Sequence, residues 1–331
     1  MSAKSNVLAL AGALFIAGTA IFLAAQSARG LTQIKGELCT QELDAAGVKQ
    51  INIQTPVEYG LEIMPGDDNF NITLMYYNTL NECSMEKRDG VVHISPKNGK
   101  EKWYDYVRFD LIAPNRDDVV KLYLPPNLYT EISADVRYGG LELRAIKGDT
   151  LRISTDSGDV NISASDFEVY DIDTHSGDIS LSGIGKRNDK GYAVLKTSTG
   201  KADIRSSKFN SLVVSNSYGD INIADTDSVV KADNRNGDIR VEGISGKILR
   251  FKNEHGNIGG SINGTRESYV TNVSSDHGRS NVEPHKKGTN LLEAYTSSGD
   301  IEFRFTQSDI GETYDESLED ILGYDEEIYY K

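Results

Sequence analysis

The sequence predicts an all-β protein, a single-chain parallel β-solenoid, from three observations. The tripeptide Ser-Gly-Asp or a near variant returns down the second half of the chain. Its glycines are Gly139, Gly158, Gly177, Gly200, Gly219, Gly237, Gly256, Gly278 and Gly299, at a mean spacing of 20 residues. A fixed period of that size is the mark of a coil that stacks on copies of itself. Around most of these glycines, apolar residues recur seven and five positions before and two and four after, as with Leu151, Ile153, Val160 and Ile162 around Gly158. A period of two on either side of a glycine is a pair of short strands joined at a tight corner. Finally, 31 glycines against 7 prolines in 331 residues suit many turns and few interrupted ladders.

In chain order, Val7 to Ala25 run without a charge after Lys4 and end at Ala25-Gln26-Ser27, a small-x-small site before Ala28. Residues 1–27 are therefore read as a signal peptide, or as an uncleaved membrane anchor, since nineteen apolar residues approach the ~20 that span a bilayer. Either way the chain is expected to be exported. Residues 28–130 read as an irregular β region, with alternating pairs such as Ile51 and Ile53, Leu61 and Ile63, and Ile72 and Leu74. They form either degenerate first coils or a small β cap over the first open edge.

Residues 131–305 carry the solenoid repeats, about nine coils at about 4.8 Å each. Glycine at the corner supplies a positive φ that other residues adopt only at a cost. Three residues before it stand Val136, Thr155, Thr174, Thr197, Asn216, Asn234, Asn253, Ser275 and Thr296. By parity this column faces inward, where stacked Asn and Thr side chains would bond one another and the corner amides. Ile146, Ile184 and Ile244, each seven after its glycine, hint at a short third side. A β-sandwich is the alternative for this region. The segment 306–331 holds nine acids and one Lys, with Tyr314, Leu318, Ile321 and Leu322 at helical spacing, and reads as an acidic tail or a capping helix.

The stretches Ser157-Gly158-Asp159-Val160, Ser176-Gly177-Asp178-Ile179 and Ser298-Gly299-Asp300-Ile301 resemble the bacterial putative-adhesin family of β-strand-repeat proteins, a domain of unknown function. The lead-in Val120-Lys-Leu-Tyr-Leu-Pro125 is similar to that family's entry to its repeats. The resemblance covers roughly residues 119–305 and implies an exported or membrane-anchored envelope protein. It assigns no catalytic motif. Lys201 and Arg279 depart from it, standing where Asp is usual, and the coil around Gly278 lacks an apolar residue two after the glycine.

A formal net charge of −15 argues against nucleic acid or another polyanion as partner. No G-x-S-x-G, phosphate loop or H-E-x-x-H is present, and the sequence calls for no cofactor. The nearest approaches to a metal site are two. Corner acids such as Asp159 and Asp178 would lie about 5 Å apart in neighbouring coils, a repulsion of about 1 kcal/mol in water that a cation would relieve. Asp equally suits a turn by bonding backbone. His255 and His277, each just before a corner glycine and taken as adjacent coils, would offer two imidazoles beside Glu254 and Asp276. Trp103, Tyr104 and Tyr106 beside the basic loop from Lys97 to Lys102 form a candidate binding platform for a sugar or protein, or pack into a cap. Cys39 and Cys83, an even pair in an exported chain, are a disulfide candidate or two buried thiols.

The function these features predict is a non-enzymatic cell-envelope or surface adhesion and interaction module, periplasmic, surface-bound or secreted, with an unknown glycan or protein ligand. The alternatives are a structural envelope protein that self-associates end to end or tethers envelope layers, and a glycan-active β-helix enzyme.

Overall fold

The computed structural model describes residues 37–56, 59–66, 70–78, 82–97, 119–126, 128–184 and 191–306. The signal or anchor segment 1–27, the aromatic group Trp103, Tyr104 and Tyr106, and the tail from 307 on lie outside the described residues. The chain divides into two units, residues 1–37 with 78–80, and residues 38–77 with 81–331. In the first, Glu37 and Asn78 bond through Glu37 N–H to Asn78 Oδ1 at 2.7 Å and Asn78 N–H to Glu37 O at 3.1 Å. Every strand among the described residues lies in the second.

The strands before the repeats are β1 (Leu38–Asp44), β2 (Gln50–Gln54), β3 (Gly60–Pro65), β4 (Asn71–Tyr77), β5 (Glu82–Arg88), β6 (Val91–Lys97) and β7 (Val119–Leu124). The first repeats supply β8 (Tyr129–Val136), β9 (Leu141–Arg144), β10 (Lys147–Ser157), β11 (Val160–Ser163), β12 (Asp166–Ser176), β13 (Ile179–Ser182), β14 (Tyr192–Thr199) and β15 (Ala202–Arg205). Then follow β16 (Ser211–Tyr218), β17 (Ile221–Ala224), β18 (Val229–Asn236), β19 (Ile239–Ile244), β20 (Ile248–His255) and β21 (Ile258–Ile262). The last are β22 (Tyr269–Ser275), β23 (Asn290–Ser298) and β24 (Ile301–Phe305).

Two sheets of twelve strands enclose the core. Each repeat gives its strand before the glycine to one sheet and its strand after to the other. The columns read from the sequence are true registers: Ile153, Ile172, Leu195, Val214, Ala232 and Phe251 pair in succession across parallel strands, and all are buried. Larger inward side chains interlock, with the Tyr170 ring edge-on to Phe167 and Phe209 at 5.6 and 5.9 Å between centroids. Alternation of buried and exposed residues then follows from the pleat alone.

The order of layers is not the order of the chain. From β8/β9 to β20/β21 the layers follow sequence, but β2 and β3 sit between β8/β9 and β6/β7. At the other end β23 and β24 sit against β20 and β21, and β22 lies outside β23. At each end, then, one layer is displaced outward and another is inserted beneath it. The poor coil around Gly278 supplies β22, the last strand of its sheet, whose far side meets the returning chain through an antiparallel bridge between Thr271 and His285. This arrangement corrects the premise that His255 and His277 occupy adjacent coils: the Gly299 layer separates them.

The ends are closed by different chemistry from the middle. Beyond β6 and β7 the ladder turns antiparallel, with β5 on β6, β4 on β7 and β1 on β4. The Gln41 side chain of β1 then covers the edge strand β5, donating Nε2–H to Cys83 O at 2.7 Å and accepting Met85 N–H at 3.1 Å. At the far end Asn281 does the same to β24, with Nδ2–H to Phe303 O and Phe303 N–H to Oδ1, both 3.0 Å. A carboxamide presents both N–H donors and a carbonyl acceptor, so one side chain can pair a carbonyl and an amide of an exposed strand edge.

Candidate functional site

The repeated tripeptide builds a continuous corner, and each member has a separate task. Gly177 N–H donates to Thr199 O of the next coil at 2.9 Å, and Ile179 N–H to Lys201 O at 2.8 Å, so the ladder runs unbroken around the bend. The glycine carbonyl accepts the inward polar side chain of the next coil: Asn216 Nδ2–H reaches Gly200 O at 2.8 Å, Asn234 reaches Gly219 O at 2.9 Å, and Asn253 reaches Gly237 O at 2.7 Å. Thr197, Thr296 and Ser275 do so with hydroxyls. The column is buried as parity requires except at the half-buried Ser275, and its side chains bond mainly to corner carbonyls, while Asn216 Oδ1 also accepts the Tyr218 amide at 3.2 Å. Among the described residues Thr155 and Thr174 Oγ1 are buried without a partner.

The corner acids are absorbed in the same way. Asp159 Oδ1 accepts Asp178 N–H at 2.9 Å, Asp178 accepts Lys201 N–H at 2.7 Å, and Asp220 accepts Asp238 N–H at 2.9 Å. Asp238 accepts Asn257 N–H, Asn257 Oδ1 accepts Asp300 N–H, and Asp300 accepts Arg279 N–H, each at 2.8 Å. Lys201 and Arg279, which depart from the repeat, thus still donate their amides to the acid of the coil beside them. Burial alone would raise the Asp220 carboxyl, but the Asp238 amide and the Arg240 guanidinium outweigh it and hold it below the ordinary carboxylate value.

Of the sequence-predicted site residues, the corner acids, the two histidines and the two cysteines lie within the described residues. Gly256 and Gly278 stand two layers apart, about 10 Å at the usual strand spacing. Two imidazoles ligating one zinc ion at about 2 Å each cannot span that distance without leaving the corner. His255 pairs in register with Ser298, and His277 Nδ1 lies 3.0 Å from Ser297 O. Glu254 pairs with Arg235 and Asp276 accepts the Tyr295 hydroxyl. Among the described residues no three His, Cys, Asp or Glu side chains gather into a metal-binding group. Cys39 on β1 is half-buried, Cys83 on β5 is buried, and no disulfide joins them. Burial first, then the neighbouring Cys39, pushes the Cys83 thiol up to about 12.

A second corner escaped the sequence reading. Six residues after the glycines stand Ala145, Ala164, Gly183, Ser206, Asp225 and Gly243, all left-handed, with φ between 47 and 64°. Next to them the Ile146, Ile184 and Ile244 side chains are buried, alternating with Ser165, Ser207 and Thr226. Ser165 Oγ accepts Ile146 N–H at 3.2 Å and donates to Ser163 O at 2.9 Å. The presumed third side is this bend, capped by hydroxyls.

What remains exposed lies on edges and outer faces. Tyr138 and Tyr218, each just before a corner glycine, are 59% and 55% exposed on one edge, with Ser157, Ser176 and Thr199 in the three layers between. On the outer face of β5 and β6 a shallow pocket of about 240 Å³ is lined by Ser84, Glu86, Arg88, His93 and Ser95. Its charges are internally matched, because Arg88 pairs with Glu86. Among the described residues no helix is long and apolar enough to cross a membrane.

The model of a family described as Toastrack DUF4097 matches residues 48–302. Three solved structures are similar to the chain. One is described as a putative adhesin from Bacteroides fragilis: it is 15% identical, 81% of this chain and 97% of that one are covered, and the TM-score is 0.39. Another putative adhesin, from Parabacteroides distasonis, is 13% identical with the same coverage and a TM-score of 0.45. A putative cell adhesion protein from Clostridium sporogenes is 12% identical over 82% of this chain and 100% of that one, at 0.32. No curated protein matches the chain.

Proposed function

The chain belongs to the Toastrack DUF4097 family, and from that membership we propose that it is an exported, non-enzymatic interaction module of the cell envelope, an adhesin in the broad sense of a surface that binds. One observation carries the reading: the residues that define the repeat are spent on holding coil to coil. Asp159, Asp178, Asp220, Asp238 and Asp300 each accept a backbone amide of the neighbouring layer. The repeat therefore multiplies outer surface, and the variable outward side chains are what it displays. Repeat architectures bind through such extended surfaces.

The Tyr138–Tyr218 edge is the surface to test first. Two exposed rings four layers apart, about 19 Å, flank a floor of hydroxyls. Aromatic faces with hydroxyl partners between them suit a neutral oligosaccharide. The purified chain is expected to bind a subset of an immobilised glycan array and to lose that binding in the Tyr138→Ala/Tyr218→Ala variant, which alters no core residue. Absence of binding by the parent chain, or equal binding by the variant, would overturn the assignment to this edge. Export is tested by fractionating native cells and sequencing the N-terminus; a chain confined to the cytoplasm would contradict it.

A further inference from the structure

We infer that the outer face of the sheet holding β8 to β20 is a self-complementary surface that pairs two copies of this chain side by side. The inference goes beyond the ligand-binding reading and does not depend on it. The face has an apolar centre on β14 and β16, and its outward column stays apolar beyond it through Ile248 and Leu291, which are 8% exposed and register partners. Val194 and Val213 are direct partners across β14 and β16 and point outward between the buried pairs Ala193–Leu212 and Leu195–Val214. Two residues earlier on each strand the outward column continues the patch with Val169, Tyr192, Ser211 and Val229. Tyr192 is 46% exposed and the four valines are half-buried.

Charges flank this centre with opposite sign. Asp171 lies one strand before Val194 in the same column, Lys231 lies one strand beyond Val213, and both are exposed. Consider a two-fold axis in the plane of the face, running along the strands midway between β14 and β16. It places Val194 on Val213 of the second copy, Val169 on its Val229, and Asp171 on its Lys231, and it does each of these twice. One point of self-complementarity would be chance composition, but here the same axis satisfies the apolar pair, the flanking apolar pair and the ion pair. The axis also opposes Arg152 to Arg250, and each already holds an acid of its own chain, Glu131 at 3.3 Å and Glu293 at 2.7 Å. Asp173 would meet Asp233, with Lys196 and Lys231 as their neighbours in register or sequence.

The area is adequate. Eight strands from β8 to β23 at about 4.8 Å, by outward residues spanning about 20 Å, give close to the ~800 Å² per partner of a standard interface. An isologous contact of this kind closes on itself and stops at two copies.

The test is a charge reversal with rescue, on the full chain in sedimentation equilibrium. The parent is expected to be dimeric. Asp171→Lys and Lys231→Asp alone should each raise the dimer dissociation constant at least about tenfold, since each sets like charges face to face twice. Asp171→Lys together with Lys231→Asp should restore the dimer, which general damage to the fold would not allow. Val213→Glu, on the same exposed face, should give a monomer with an unchanged melting temperature. A monomeric parent, single reversals without effect, or a double reversal that stays monomeric would each overturn the inference.

Discussion

Gly219 shows why one corner could be read from the sequence and the other could not. A Cβ at Gly219 would fall well inside van der Waals contact of Gly200 O, and the same clash with the preceding corner carbonyl recurs at Gly158, Gly177, Gly237, Gly256 and Gly299. Backbone stacked on backbone has no way to yield. Gly219→Ala is expected to cost at least about 2 kcal/mol in urea unfolding. At the second corner the demand is only for a left-handed φ, which costs an ordinary residue roughly 1–2 kcal/mol, and Ala, Ser and Asp stand there beside Gly. So weak a preference leaves no column of glycines to read. Ala164, exposed and at φ 49°, therefore permits the reverse experiment, and Ala164→Gly is expected to leave stability unchanged or to raise it by up to about 1 kcal/mol.

The corner acids make a sharper distinction at the same scale. Asn257 fills the position in one coil and accepts Asp300 N–H just as its neighbours do, so the position needs an oxygen acceptor and no charge. Asp178→Asn should stay within about 0.5 kcal/mol of the parent while Asp178→Ala loses about 1 kcal/mol. Asp220 is the member whose charge matters. Its folded pKa lies below the unfolded one, so its contribution is present above about pH 3.9 and is lost as pH falls through the lower folded value. Asp220→Asn should flatten that part of the acid-unfolding profile. Cys83, pushed up to about 12 by burial, should resist alkylation at neutral pH in the folded chain and react once unfolded. Mass measurement of the unreduced, denatured chain then reads directly whether Cys39 and Cys83 are joined.

At the scale of elements, the period gave the register of the repeat strands against one another, because a slip of one residue would turn an apolar column outward. It could not give which layer is whose neighbour at the ends. Parallel strands carrying the same columns are interchangeable in a stack, so β23 fits against β20 as well as β22 would. The signal that separates them is the quality of the coil. Val273, Ser280 and Val282 around Gly278 make a thin apolar set suited to an outer layer, and the chain places it there. The cap residues were illegible for another reason: Gln41 and Asn281 each act through one side chain meeting a strand more than 20 residues away in sequence. Removing such a cap leaves a strand edge with unpaired groups. Asn281→Ala is expected to cause concentration-dependent association in sedimentation velocity that the parent lacks, and Gln41→Ala the same from the opposite edge.

Across the whole stacked unit, two ends closed by carboxamides and antiparallel strands oppose growth along the stack, so contact with other molecules falls to the outer faces and corner edges. The same design explains why function was the least legible property. A repeat writes its scaffold many times and its binding residues once, and residues that occur once have no column to betray them. The threaded order of layers is the claim on which the caps, the placement of His255 and His277, and the finite length of the stack all depend. It can be measured by disulfide trapping in a chain carrying Cys39→Ser and Cys83→Ala. His255 and Ser298 pair in register, within the Cα separation a disulfide accepts, whereas the His277 layer lies one further out. Mild oxidation of the His255→Cys/Ser298→Cys variant should close a disulfide in the folded chain, and the His255→Cys/His277→Cys variant should remain open. Closure of the second pair and not the first would mean that the coils stack in chain order and would contradict this account.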